Sequence, residues 1–148
     1  MKNLAAAFLA LASLAACAQA PTTPAAPPLP AEVKQLIVRD LTAGEGKVAE
    51  KEKAVLVFYS GWLYDPKAPE GKGAQFDSNE GKPVPFGFIV GRGRVIKGWD
   101  EGVAGMKEGG RRLLVIPPEM AYGVRQMGEK IPPNSTLLFE VQLVSVVN

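Results

Sequence analysis

The sequence predicts an α+β fold, an antiparallel sheet covered on one face by a single short helix. Three observations predict it. Runs rich in Val, Ile, Leu, Phe and Tyr alternate with polar residues at the two-residue period of strands. One stretch alone, around Trp99, has a helical pattern. Glycine and proline, 16 and 13 of 148 residues, punctuate the chain between the runs.

The first residues precede the fold. Lys2 is a short positive region and Leu4 to Ala16 an apolar run of signal-peptide length. Leu14-Ala15-Ala16-Cys17 resembles a bacterial lipobox, so residues 1–16 read as a signal peptide and Cys17 as the lipidated new N-terminus. Ordinary secretory cleavage after Ala18 or Ala20 is the alternative. An odd cysteine in an exported chain needs an explanation, and acylation supplies one. Residues 17–31 then form a proline-rich, uncharged tether, expected to be extended and mobile. Residues 32–148 are one domain of ordinary size.

Within that domain, Gln35 to Leu41 reads as a strand and Thr42 to Gly46 as a turn. Lys53 to Leu63 is a long strand, with Val55, Val57 and Tyr59 on one face. Asp65 to Ala74 holds two prolines and two glycines and reads as a loop. Pro85 to Val90 is a strand with Phe86, Phe88 and Val90 on one face. Gly91-Arg92-Gly93-Arg94 is a tight turn. Ile96 to Met106 is the helix, interrupted by Gly98, Gly102 and Gly105, with Asp100 and Glu101 favouring its dipole. Gly109 to Arg112 reads as a hairpin turn with solvated charges. Arg111 to Ile116 is a strand ended by Pro117-Pro118, Tyr122 to Pro133 is a loop, and Thr136 to Val147 is the last strand, with Leu137, Phe139, Val141 and Leu143 on one face.

Composition narrows the chemistry. The sequence has no histidine, and its one cysteine is Cys17. A His-based triad, a thiol nucleophile and a metal or other cofactor site are therefore not expected in the domain. A net charge of +2 gives no basic face for nucleic acid. What stands out is Val95-Ile96-Lys97-Gly98-Trp99, with Tyr59, Phe76, Asp77, Phe86, Tyr122 and Phe139 recurring around it. These describe an aromatic cup that would work by shape and desolvation. Taken singly, each has a plainer reading: Trp99 a core residue, Asp77 a turn residue, Phe58, Phe88 and Trp62 packing.

Taken in order, the motifs Val57 to Gly61, Phe76 to Ser78, Val95 to Gly102, Ala121 to Gly123, Ile131 to Pro133 and Thr136 to Glu140 resemble the FKBP-type peptidyl-prolyl isomerases over nearly all of Gln35 to Val147. The resemblance implies a bent half-barrel sheet wrapped around the helix. It implies a prolyl isomerase, with Trp99 as pocket floor and Tyr59, Phe76, Phe86, Val95, Ile96, Ile131 and Phe139 as walls. Asp77 and Tyr122 would be its polar side-chain contacts, and the Ile96 N–H would bind a ligand carbonyl. It implies proline-containing polypeptide clients and macrolides of the rapamycin type as inhibitors. The chain is expected to be a monomer that meets a membrane only through the lipid anchor read from Cys17, on the periplasmic side of the cell envelope, at the outer membrane if the cell is Gram-negative. Met127 and Lys130 depart from the best-known members at expected rim positions. A proline-binding module without turnover and a folding chaperone are the competing functions.

Overall fold

The computed structural model describes residues 26–147, so the expected signal peptide, Cys17 and the first part of the expected tether lie outside the described residues. Six strands and one helix follow in order: β1 Ile37–Thr42, β2 Ala54–Tyr64, β3 Lys72–Ser78, β4 Phe86–Ile89, α1 Lys97–Gly102, β5 Arg111–Ile116 and β6 Leu137–Val147. The sheet order is β1-β5-β6-β2-β3, with β4 also paired to β2, and every pairing is antiparallel. The long β2 therefore has two partners along one edge. Its first half pairs β4 and its second half β3.

Side-chain alternation divides the sheet into two apolar faces. Leu114 and Ile116 of β5, with Leu137, Phe139, Val141 and Leu143 of β6, join Trp99, Val103 and Met106 in the main core. A bulge at Val144 shifts the register of β6 against β2. Its parity changes there, so Val144 is exposed while Val146 turns into the core. Leu113, Val115 and Leu138 point the other way, into a second, smaller core.

That second core corrects the expectation that the helix is the sheet's only cover. Val33 is buried in it, and Leu29, Ile37, Trp62 and Tyr64 pack against it. The end of the proline-rich stretch thus lies on the outer face instead of hanging free. Arg39 donates to the Pro27 carbonyl at 2.8 Å, and the Tyr64 hydroxyl donates to that of Pro30. An extended proline segment loses little conformational entropy when it docks, and one leucine and two hydrogen bonds favour the docked arrangement.

Two elements differ from expectation. The helix stops at Gly102, not Met106. Gly105 turns at φ +87 and pairs with Ala49, whose N–H in turn donates to the Met106 carbonyl at 2.6 Å. Contact with the chain at Val48 and Ala49 thus ends the helix. Residues 72–74, expected in a loop, open β3, because β2 supplies the ladder that Lys-Gly-Ala lacks propensity to seek. The loop itself is shorter and holds one 3-10 turn at Pro69–Gly71.

The helix glycines have a packing reason. A Cβ on Gly98 would lie 2.5 Å from Ile116, and one on Gly102 would lie 2.6 Å from Leu114. Their absence lets α1 lie directly on β5. A six-residue helix is far below the length that is stable alone, so this contact holds it.

Candidate active site

Between α1 and the inner face of β2, β3 and β6 lies a cavity of about 230 Å³. Trp99 from α1 forms its floor, 4 % exposed. Tyr59, Phe86 and Phe139 meet the indole edge to face, with ring centroids 5.0, 6.0 and 5.2 Å away. Phe76 packs edge-on against Phe139 at 5.4 Å. Tyr122, Val95, Ile96, Asp77 and Arg94 complete the lining. Edge-to-face rings interlock, so the aromatic walls hold each other's orientation. The indole N–H of Trp99 is buried without a hydrogen-bond acceptor among the described residues, which leaves the floor without an engaged polar group.

The polar groups are few and held. Asp77 accepts from the Tyr59 hydroxyl at 2.7 Å and from the Ser78 N–H at 2.8 Å. Burial, then the Asp77 hydrogen bond, raises the Tyr59 phenol well above its ordinary value. Burial, then the Asp77 charge, raises Tyr122 as well. Both phenols therefore keep their protons at neutral pH; the Tyr59 hydroxyl donates to Asp77, and the Tyr122 hydroxyl has no acceptor among the described residues. The Ile96 carbonyl accepts from Trp99 and Asp100 at the start of α1, while its N–H has no acceptor among the described residues.

Two residues position this set and were not legible beforehand. Asn79 fills the gap between β3 and β4 on the edge of β2. Its side-chain carbonyl accepts from the Tyr59 N–H at 2.6 Å, and its amide donates to the Val57 carbonyl at 3.2 Å. It thereby replaces the missing ladder at Tyr59. Asp100, expected only to favour the helix dipole, accepts from Gly91 and Gly93, both at 2.9 Å. That ties down the turn leading to Val95 and Ile96. An Asx residue after a strand and a carboxylate in a first helical turn are the available signals, and neither reveals its partner.

The structure thus brings together Trp99, Tyr59, Phe76, Asp77, Phe86, Val95, Ile96, Tyr122 and Phe139, and adds Arg94. Ile131 is not in the lining. It is buried in the main core, bridged to Met127 across a tight loop. Met127 and Lys130 are exposed on that loop and do not line the cavity either. Two larger clefts, about 560 and 490 Å³, lie on the outer face beside residues 26–34. Neither gathers converging rings, so size does not select the site here; the aromatic lining does. Among the described residues no cluster of His, Cys, Asp or Glu could hold a metal. The smaller cavity can desolvate a small apolar ring and offer hydrogen-bond donors to adjacent carbonyls.

Comparison with known proteins agrees with this geometry. Residues 45–144 match the family model of the FKBP-type peptidyl-prolyl cis-trans isomerases. The chain is 50% identical over 111 residues to a protein of Neisseria meningitidis serogroup A named FK506-binding protein, covering 75% of this chain and 95% of that one. It is 50% identical over 113 residues to peptidyl-prolyl cis-trans isomerase FKBP53 of Arabidopsis thaliana, covering 75% of this chain and 22% of that one. The crystal structure of AtFKBP13 superposes with a TM-score of 0.64 at 38% identity, covering 76% of this chain and 93% of that one.

Proposed function

The chain belongs to the FKBP-type peptidyl-prolyl cis-trans isomerases, and from that premise we propose that it turns prolyl bonds of exported polypeptides by desolvating them over Trp99. The observation that carries the mechanism is the cavity itself: six aromatic rings, one carboxylate and donors that stay protonated. A prolyl amide resists rotation by about 18–20 kcal/mol because resonance holds it planar. The planar form is strongly dipolar, and water stabilises it more than the twisted form. Removing that water raises the ground state relative to the transition state. A few kcal/mol, the size of amide desolvation, corresponds to about 10²–10⁴ in rate. No nucleophile or proton transfer is needed.

In this reading the proline ring sits on Trp99, between Tyr59, Phe86 and Phe139. The Ile96 N–H and the Tyr122 hydroxyl donate to carbonyls flanking the ring. Asp77 keeps Tyr59 in place and supplies the one acceptor charge in an apolar wall. Macrolides with a proline-like ring and neighbouring carbonyls would compete for the same cavity, in line with the name of the Neisseria protein. Export and the lipid on Cys17, which would hold the enzyme on the periplasmic side of the cell envelope, rest on the sequence alone. Mass spectrometry of the mature N-terminus tests them, an unmodified end at Gln19 or Pro21 meaning plain secretion.

The decisive experiment is a prolyl-peptide isomerisation assay on the wild type, Trp99→Leu and Asp77→Ala. Trp99→Leu should lose at least about tenfold in kcat/KM, equivalent to about 1.4 kcal/mol, while remaining folded. Asp77→Ala should lose less, since desolvation persists. Wild-type protein that binds proline peptides without accelerating them would instead be a binding module.

A further inference from the structure

We propose that Arg94 is a specificity residue that favours substrates with an acidic side chain next to the proline. The proposal rests on the isomerase reading above and concerns the same cavity. Arg94 is the only cationic residue in its lining. It stands on a pinned turn: Gly93, at φ +67, donates its N–H to Asp100, and Val95 and Ile96 form the wall directly after it.

Its neighbours are committed elsewhere. Arg92 pairs with Glu52, and Lys97 lies 3.9 Å from Glu101. Arg94 is exposed and has no carboxylate partner among the described residues. The one carboxylate in the lining, Asp77, already has both oxygens engaged, by Tyr59 and Ser78. Those neutral donors occupy Asp77 without cancelling its charge, so the lining holds one hydrogen-bonded anion and one cation, Arg94, that has no partner among the described residues.

A peptide threaded through a cavity this small keeps its proline inside and its flanking side chains at the mouth. A flanking glutamate would meet the guanidinium, and a flanking lysine would be repelled. Partly exposed pairs contribute modestly, so each effect should be about two- to fivefold and the glutamate-to-lysine ratio about tenfold. Arginine suits this role because its charge does not titrate and its planar fork matches a carboxylate.

The test compares kcat/KM for peptides carrying Glu, Gln or Lys immediately before the proline and, in a second set, immediately after it. Wild type, Arg94→Gln and Arg94→Glu are assayed at low salt and at about 1 M salt, where the screening length is about 3 Å. We expect the wild type to prefer Glu over Lys at one flank, with the preference shrinking in high salt. Arg94→Gln should flatten it and Arg94→Glu should reverse it. An unchanged ratio in Arg94→Glu, with the Gln peptide still turned over, overturns the role of Arg94 and leaves the isomerase reading intact. No turnover of any peptide by the wild type overturns both.

Discussion

Gly61 is as necessary to the cavity as the rings around it. A Cβ there would lie 2.7 Å from both the Phe76 and Phe139 rings. Gly61→Ala must displace one wall or bend β2, so it should cost about 1–3 kcal/mol of stability. It should also reduce isomerisation beyond what lost folded protein explains. Denaturant titration and the peptide assay on the same preparation check this, and full activity would mean that the walls yield to a methyl group. The tyrosines give a pH prediction with a definite sign. Tyr59 and Tyr122 have folded-state values above the ordinary phenol value near 10. Their contribution to stability is complete below about pH 10 and is lost as pH rises through the raised folded values. Denaturation followed from pH 7 upward should show stability falling only above about pH 10. Between pH 6 and 8 neither phenol titrates, so activity should be flat there; a bell-shaped profile near neutrality would count against catalysis by desolvation.

At the scale of elements, α1 depends on what holds its ends. Asp100 fastens the turn before it, and Arg112 satisfies the carbonyls after it. The Arg112 guanidinium donates to the Gly102 and Ala104 carbonyls at 2.8 and 3.1 Å, and also to Asp40. This corrects the expectation of solvated charges at Gly109 to Arg112, since the Arg112 side chain is only 12% exposed. Arg112→Leu leaves two carbonyls without their donor and should destabilise by about 1–3 kcal/mol. Because α1 carries Trp99, tryptophan fluorescence should shift before global unfolding; coincidence of the two transitions would show that β5 packing alone fixes the helix. The history of each element in the sequence follows from where its contacts are. β2, β5 and β6 were legible because an apolar face leaves its period in the chain. The cup residues were legible because six motifs carry a family resemblance in order. The helical pattern overruns the helix because Val103, Ala104 and Met106 stay apolar after the chain has turned to pair with Ala49. The start of β3 leaves no pattern because Lys72, Gly73 and Ala74 are placed by β2 rather than by their own propensity. Asp100, Asn79 and Arg112 act through partners distant in the chain or on backbone atoms, which no local pattern encodes. Ile131 sits in its motif as expected, yet a tight bridge to Met127 turns it into the core.

For the whole molecule, one sheet separates two environments: the aromatic cavity and main core inside, the second core and proline-rich strap outside. The strap bears on stability and leaves the cavity uncovered. Leu29 is half-buried against Tyr64 and Gly71, while Pro27 and Pro30 each accept one hydrogen bond. Fully burying a leucine contributes about 1.5–3 kcal/mol, and a net hydrogen bond about 0.5–1.5. Half of the first, with exposed examples of the second, amounts to about 1–2 kcal/mol. Leu29→Asp should therefore lower the unfolding free energy by about that much and expose the chain before Val33 to protease. Turnover of a short proline peptide should not change, because no strap residue lines the cavity. Denaturant titration, timed proteolysis and the peptide assay read the three effects separately. An unaltered denaturation midpoint with unaltered cleavage would return residues 26–31 to the status of a free tether. A lost midpoint with lost turnover would mean that the two faces of the sheet are coupled through Leu113 to Val115, whose side chains alternate between the cores.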